Sequence, residues 1–201
     1  MTVVRLAGDD LLLYAPVWNG QPDVFEQIEA LGRPRVLVAP NHFHHMSLPR
    51  YRERYPDAWA VAAPGALARL GRKGHAGLRP CADVQPLLPA GTHFLLPEGL
   101  KNGEAWLSFD DAGVRTWLVG DAFFNVTRPV TGVFGVAVRL LDVSPGLKLG
   151  RTFRWVGIRD TEAYRSFVRE AAERERPAKL AFCHGDPLPA ADIGERLVEM
   201  I

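Results

Sequence analysis

The chain has 201 residues, of which 47% are hydrophobic and 23% charged, and its formal net charge is +1. This composition is ordinary for a globular protein with a sizeable core. The balanced charge argues against nucleic acid as a partner, because nucleic-acid-binding domains carry a strong basic field. No apolar stretch approaches the roughly 20 residues of a membrane-spanning helix, so we expect no membrane partner.

The compartment and the domain organisation follow from the same features. The 2 cysteines are too few for a disulfide framework, and the first residues lack the apolar core of a signal peptide. We therefore expect a cytoplasmic protein. The length favours a single domain over residues 1–201, and the sequence leaves the oligomeric state open.

The N-terminal part alternates short apolar runs with amphipathic segments. Val24, Ile28 and Leu31 share one face of a predicted helix that Gly32 ends. In chain order we predict strand 10–17, helix 23–32, strand 35–39, helix 48–55, strand 58–62 and helix 66–70.

The middle of the chain changes to strands and turns, and the C-terminal part returns to α/β order. The segment 110–113 predicts a hairpin turn, and 125–150 predicts irregular structure with short helices. Together these patterns favour a layered α/β domain in which helices cover the sheets. We predict strands 84–88, 93–96, 104–109 and 115–119, helix 161–176, strand 178–183 and helix 193–201.

Three histidines directly follow the predicted strand 35–39. They are His42, His44 and His45, three of the six histidines in the chain. Imidazole is the commonest protein ligand for zinc and also suits iron. The cluster therefore favours a metal site, the alternative being a polar loop with a chance grouping of histidines.

Two further strand ends carry possible ligands, Asp121 after 116–119 and His184 after 180–183. If the strands end on one side of the packed sheets, these loops converge with the histidine cluster. Such nitrogen and oxygen ligands suit zinc, with iron or manganese as alternatives. Taken alone, Asp121 could instead cap a following turn, and His184 could be an ordinary loop histidine.

These blocks, in this order, resemble the metallo-β-lactamase superfamily. Its pattern is His-x-His-x-Asp-His after an early strand, then a middle histidine, an aspartate often preceded by glycine, and a late histidine often next to glycine. Here the segment 36–46, the pair Gly120-Asp121 and the pair His184-Gly185 match in order. The resemblance implies a four-layer αββα sandwich and metal-dependent hydrolysis.

A closer resemblance, covering nearly the whole chain, is to a bacterial and plant subfamily with a Pro-Asn-x-x-His-His motif. The motif matches residues 40–45 here. The Asp121 to Asn125 block and the terminal His-Gly-x-Pro block at 184–187 match as well.

The chain also departs from the superfamily pattern. Pro40 stands where the first histidine would be, His44 takes the aspartate position, and the middle segment 97–103 has no histidine. The resemblance therefore implies one divalent metal rather than two. The implied ligands are His44, His45, Asp121 and His184, with His42 nearby, and the implied catalytic residues are Asp121 and His44.

Two functions follow from this combination. The first is a metal-dependent hydrolase in which metal-bound water attacks a small-molecule ester, amide, thioester or phosphoester. The second is a degenerate, non-catalytic member of the fold that binds a ligand or a partner. The absent middle histidine and Pro40 motivate this alternative.

Several neighbouring residues carry secondary expectations. Asn41 is expected to shape the histidine loop through an Asx-type bond. Glu104 is either an acceptor that orients a ligating imidazole or an exposed strand residue. Asp186 is either close to the metal or a cap of the last helix, and His75 is expected in a solvated loop.

Overall fold

A computed structural model describes residues 1–21, 23–127 and 145–201. The chain divides into two compact units. The first contains Met1–Phe94 and Gly103–Ala105, and the second contains Leu95–Asn102 and Trp106–Ile201. The single domain over residues 1–201 stays a prediction.

A mostly parallel sheet forms the first unit. Its order is β1-β2-β3-β4-β5, with β1 antiparallel to β2 and each later pair parallel. In the central strand, Val36 to Ala39 are fully buried, as expected for a parallel strand covered on both faces. The strands are β1 (Thr2–Arg5), β2 (Asp10–Tyr14), β3 (Arg33–Ala39), β4 (Trp59–Ala62) and β5 (Arg79–Pro80).

Short helices connect these strands. Proline lies in the first turn of two of them, where its missing N–H costs no intrahelical hydrogen bond. The helices are α1 (Val24–Leu31), α2 (Leu48–Arg54), α3 (Pro64–Arg72) and a 3₁₀ helix (Cys81–Leu87).

Among the described residues, the second unit contains the neighbouring strands β12-β11-β8-β7 of one sheet and a two-stranded sheet of β10 and β9. Strands β8 and β11 are parallel neighbours, whereas β7 and β8 form the antiparallel hairpin predicted at 110–113. Strand β6 (His93–Leu95) spans the boundary between the units at Phe94, and the strands after it are β7 (Trp106–Asp111), β8 (Val114–Val119), β9 (Phe123–Val126), β10 (Gly146–Leu149), β11 (Lys179–Phe182) and β12 (Leu188–Pro189).

An aromatic cluster dominates the core of the second unit. The Trp106 ring lies 5.8 Å from Trp117, 5.9 Å from Phe123 and 6.2 Å from Tyr164, between ring centroids. Glu175 accepts hydrogen bonds from Trp117 Nε1 at 2.9 Å and Ser108 Oγ at 2.5 Å, which ties a helix to the sheet. The helices are α4 (Arg151–Val156), α5 (Thr161–Glu175) and α6 (Ile193–Met200).

The α/β fold class is confirmed, while several elements differ from the sequence-based predictions. Residues 84–88 do not form a strand, because most of them belong to the 3₁₀ helix. Cys81 and Val84 are both fully buried and lie three residues apart, which is the period of that helix. Strand β1 was not predicted, and β10 lies in a segment predicted as irregular. Residues 128–144 of that segment are outside the described residues.

The described residues contain no helix that is both long and apolar enough to cross a membrane.

Candidate functional site

The register of two parallel strands brings Asp121 and His184 together in the second unit. Val119 of β8 pairs with Phe182 of β11, and each is followed two positions later by one of these residues. The two side chains therefore leave equivalent points of adjacent strands. His184 Nε2 lies 3.1 Å from Asp121 Oδ1, although the residues are 63 positions apart in sequence.

This pair offers atoms that suit a metal ion. In a tetrahedral zinc site, nitrogen and oxygen ligands at about 2.0–2.1 Å from the ion lie about 3.4 Å from one another. The observed separation of 3.1 Å is close to that value. Without an ion, a proton on the imidazole makes the same contact favourable. The Asp121 side chain is 20% exposed and that of His184 61% exposed, so an ion has access from solvent.

Asn125 holds the loop that carries His184. Its backbone N–H donates to the His184 carbonyl at 3.3 Å, and its carbonyl accepts from the Asp186 N–H at 3.0 Å. Its side-chain amide donates to the Asp186 carbonyl at 2.9 Å. Asn125 is only 5% exposed, so these bonds form away from competing water. The Asp121 to Asn125 block thus supplies both a candidate ligand and the support for its partner.

Gly185 permits this close approach of two backbones. Its φ is +109°, and a Cβ at this position would lie 2.0 Å from the Asn125 carbonyl oxygen. Any side chain would push the His184 loop away from β9. The glycine beside the late histidine therefore has a local physical reason.

Asp186 does not cap the last helix, and its place close to the metal stays a prediction. Its carboxylate accepts a hydrogen bond from Thr127 Oγ1, next to the end of β9. The N-cap residue of α6 is Asp192, so the prediction that Asp186 caps the last helix is wrong.

In the first unit, Asn41 shapes the histidine loop as expected. Its Oδ1 accepts from the backbone N–H of Phe43 at 2.8 Å and of His44 at 3.3 Å. The Asn41 amide donates to Glu104 Oε2 at 3.4 Å. Glu104 is 2% exposed, so its interpretation as an exposed strand residue is wrong. Glu104 supports the loop through the amide of Asn41.

His42 and His45 point their ring nitrogens at cations from α3 and its C-terminal cap. Arg69 donates from its guanidinium to His42 Nε2 at 3.3 Å. Lys73 Nζ lies 2.9 Å from His45 Nε2 and donates to the His42 carbonyl at 3.0 Å. Because an ammonium can only donate, His45 Nε2 is the acceptor and its proton is on Nδ1.

That proton points at His75. His45 Nδ1 and His75 Nε2 are 2.8 Å apart, so His45 donates and His75 accepts. Burial, followed by the charges of Lys73, His75 and His42, lowers the pKa of His45 below its ordinary value. Burial, Arg52 and Lys73 lower the pKa of His75 in the same direction. Burial and the neighbouring cations therefore disfavour the protonated form of both imidazoles.

His75 is the residue of this cluster that the sequence did not reveal. It was expected in a solvated loop, yet it is only 8% exposed. The backbone N–H of His75 donates to the Leu70 carbonyl at 3.0 Å, which turns the chain back after α3. The signal available in the sequence was a histidine just beyond the end of a predicted helix, a position that also fits an ordinary loop.

The sequence-predicted ligands come from both units of the chain. Asp121 and His184 lie together at the ends of β8 and β11, whereas His42, His44 and His45 share the histidine loop of the first unit. A metal on His45 must displace Lys73 or His75, and a metal on His42 Nε2 must displace Arg69. The complete ligand set stays a prediction.

Comparison with solved structures identifies the fold as that of the metallo-β-lactamases. VMB-1 superposes with a TM-score of 0.63 at 10% identity, covering 98% of this chain and 82% of that one. A metallo-β-lactamase from Pontibacter korlensis gives a TM-score of 0.55 at 10% identity, covering 98% and 84%. One from Hirschia baltica gives 0.51 at 11% identity, covering 98% and 83%. No protein-family model and no curated protein sequence matches the chain.

Proposed function

We propose that this protein is a metal-dependent hydrolase of the metallo-β-lactamase superfamily, in the subfamily with the Pro-Asn-x-x-His-His motif. The observation that carries the proposal is the 3.1 Å approach of Asp121 Oδ1 and His184 Nε2 at registered strand ends. The fold supports it, because the superposed structures include metallo-β-lactamases.

The proposed ligands of one divalent metal are Asp121, His184 and His44. His44 enters from the sequence pattern. It is preferred over His42 and His45 because the ring nitrogens of those two contact Arg69, Lys73 and His75. A carboxylate and two imidazoles suit zinc best, with iron or manganese as alternatives.

The side chains have distinct tasks in this proposal. When bound, the metal supplies Lewis-acid activation of water and of the bond to be broken. Asp121 orients the His184 imidazole and can hold a proton at Oδ1, the oxygen that faces it. Asn125 fixes the His184 loop, and Asn41 fixes the backbone that presents His44. His44 and Asp121 are the proposed catalytic residues.

The proposed substrate is a small molecule with an ester, amide, thioester or phosphoester bond. The balanced charge of the chain gives no reason to expect nucleic acid or membrane as a partner. A cytoplasmic location fits the cysteine content.

The test combines metal content with turnover. The protein is purified without chelator, its metal is measured by mass spectrometry, and chromogenic substrates of the four bond classes are assayed with and without chelator. We expect about one metal per chain and chelator-sensitive hydrolysis of at least one class. In Asp121→Asn both should be lost, whereas Asp111→Asn, which removes a surface ion pair with Lys179, should keep both.

A second candidate function has its own support. The occupied nitrogens of His42 and His45 describe a cluster satisfied without a metal, as expected of a non-catalytic member of the fold that binds a ligand or partner. Substoichiometric metal, no affinity for added zinc, iron or manganese, and no hydrolysis would favour this alternative and contradict the hydrolase.

A further inference from the structure

Two basic side chains, Arg69 and Lys73, meet at the histidine loop. They are four residues apart at the C-terminal end of α3 and therefore share one helix face. Both heads reach the loop, where they contact His42 and His45. We call these two residues the Arg69–Lys73 pair.

This arrangement places two positive charges on the same helix face. Like charges at this spacing destabilise a helix by about 0.2–0.5 kcal/mol. Among the described residues of the first unit, the side-chain contacts of the pair go to imidazole nitrogens and a carbonyl, none of them an anion. The helix C-terminus favours a basic residue in this turn, but it does not explain why both heads turn toward the same loop.

The pair also keeps donors for a ligand. A guanidinium has five N–H donors, of which His42 takes one. An ammonium has three, of which His42 and His45 take two. Both side chains are exposed, so a solute can reach these donors.

We propose that the Arg69–Lys73 pair binds an anionic group, a carboxylate or a phosphate, on the substrate. This proposal rests on the hydrolase function above and gives its substrate class: esters, amides, thioesters or phosphoesters that carry a second, negatively charged group. The guanidinium binds two oxygens of that group, and the ammonium binds as a point charge. Hydrogen bonds to His42 and His45 keep the two cations in place.

The residues that the Arg69–Lys73 pair contacts also lie next to a proposed metal ligand in the sequence. Its two imidazole partners flank His44, the ligand that the sequence assigns to the metal. An anion on the pair therefore fixes a substrate beside the loop that carries a reacting residue. Substrate positioning of this kind acts mainly through KM.

Binding of simple anions tests the proposal independently of the metal. Inorganic phosphate and propionate are titrated into the chelated protein by calorimetry and by NMR, so loss of the hydrolase function leaves the result intact. We expect Arg69→Gln and Lys73→Gln each to weaken binding about tenfold, since a charge-assisted hydrogen bond is lost. Lys73→Arg should retain most of the affinity.

The matched control is Arg72→Gln, which removes the same charge from the same helix end. It should leave affinity within about twofold, because a screened surface charge contributes little. Equal weakening by Arg72→Gln would mean general charge attraction and overturn the proposal. Failure of the wild-type protein to bind either anion would overturn it too. The relative affinities of phosphate and propionate identify which group the pair prefers, and circular dichroism confirms that each variant is folded.

Discussion

Possible metal ligands are placed differently in the histidine loop of the first unit and in Asp121 and His184 of the second unit. We call Asp121 and His184 the strand-end pair. In the loop, His42, His44 and His45 are neighbours in sequence, and two of them contact cations of α3 and its cap. In the pair, Asp121 and His184 are 63 residues apart, and strand register places them in contact. In the proposed metal site, clustering in the sequence alone therefore does not distinguish His44 from His42 and His45.

The difference has a physical origin. The side chains of a loop can point in many directions. Their polar atoms can find partners on a helix, as His45 does with Lys73. Asp121 and His184 follow a registered pair of parallel strands, and Asn125 holds the backbone of the His184 loop, so fewer directions are available to these side chains. Such a pair is preorganised, and ligands in a fixed geometry lose less entropy when they bind.

The largest effect should come from breaking the support of the strand-end pair at Gly185. In Gly185→Ala the new Cβ would lie 2.0 Å from the Asn125 carbonyl, at a φ of +109°. We expect a loss of more than about 3 kcal/mol in the free energy of unfolding, since strain and a backbone clash combine. Urea denaturation measures it.

Gly113→Ala is the matched control for this change. Gly113 also has a positive φ, +85°, but its Cβ would meet nothing within 4 Å. Its cost should be about 1 kcal/mol, from backbone strain alone. Similar losses in the two variants would show that the close approach at Gly185 is unimportant.

Asn125→Ala should give the next largest effect. It removes the amide of the buried Asn125 and with it the partly buried hydrogen bond to the Asp186 carbonyl. We expect about 1–3 kcal/mol of destabilisation and a weaker metal site, with the change in metal affinity measured by chelator competition. The control Asn19→Ala, at an exposed residue, should leave both the free energy of unfolding and the metal affinity unaffected.

Asn41→Ala probes the other region. It removes the acceptor for the Phe43 and His44 backbone N–H groups, at an expected cost of about 1 kcal/mol. By NMR, the chemical shifts of the Phe43 and His44 backbone amides should change, because these groups lose their acceptor. Unchanged shifts at both amides would contradict this role of Asn41.

The sequence predicted the elements whose signals are local. Helix α5 was expected over 161–176 and is found at Thr161–Glu175, because its buried Tyr164, Val168 and Ala171 follow helical spacing and Asp160 caps it. The strand-end positions of Asp121 and His184 also followed from short apolar runs ahead of them.

What the sequence could not supply depended on side-chain direction across long separations. His75 meets His45 across 30 residues, and Glu104 meets Asn41 across 63 residues. Periodicity reports which face of an element is buried but not which polar group lies opposite. The 3₁₀ helix was missed because a short apolar run cannot separate period two from period three.

The smallest effect concerns pH, and it belongs to the histidine loop. Unfolding restores the ordinary imidazole pKa of about 6.5, whereas His45 and His75 have lowered pKa values in the folded chain. Their contribution to stability is therefore complete above about pH 6.5 and declines as the pH falls below it. In chelator, the His45→Gln/His75→Gln double variant should lose less stability than the wild type between about pH 7 and pH 5. If the stabilities of the two proteins fall in parallel over this pH range, folding does not lower the pKa values of the two imidazoles.

The most direct test of the proposed metal site compares the zinc dissociation constants of His184→Gln and His45→Gln, each measured by competition with a chromophoric chelator. The proposed ligands are Asp121, His184 and His44. We therefore expect His184→Gln to weaken zinc binding more than about 100-fold, beyond the effect of losing a supporting residue, whereas His45→Gln should leave it nearly unchanged. A larger loss in His45→Gln, or equal losses in both, would contradict this assignment of the metal ligands.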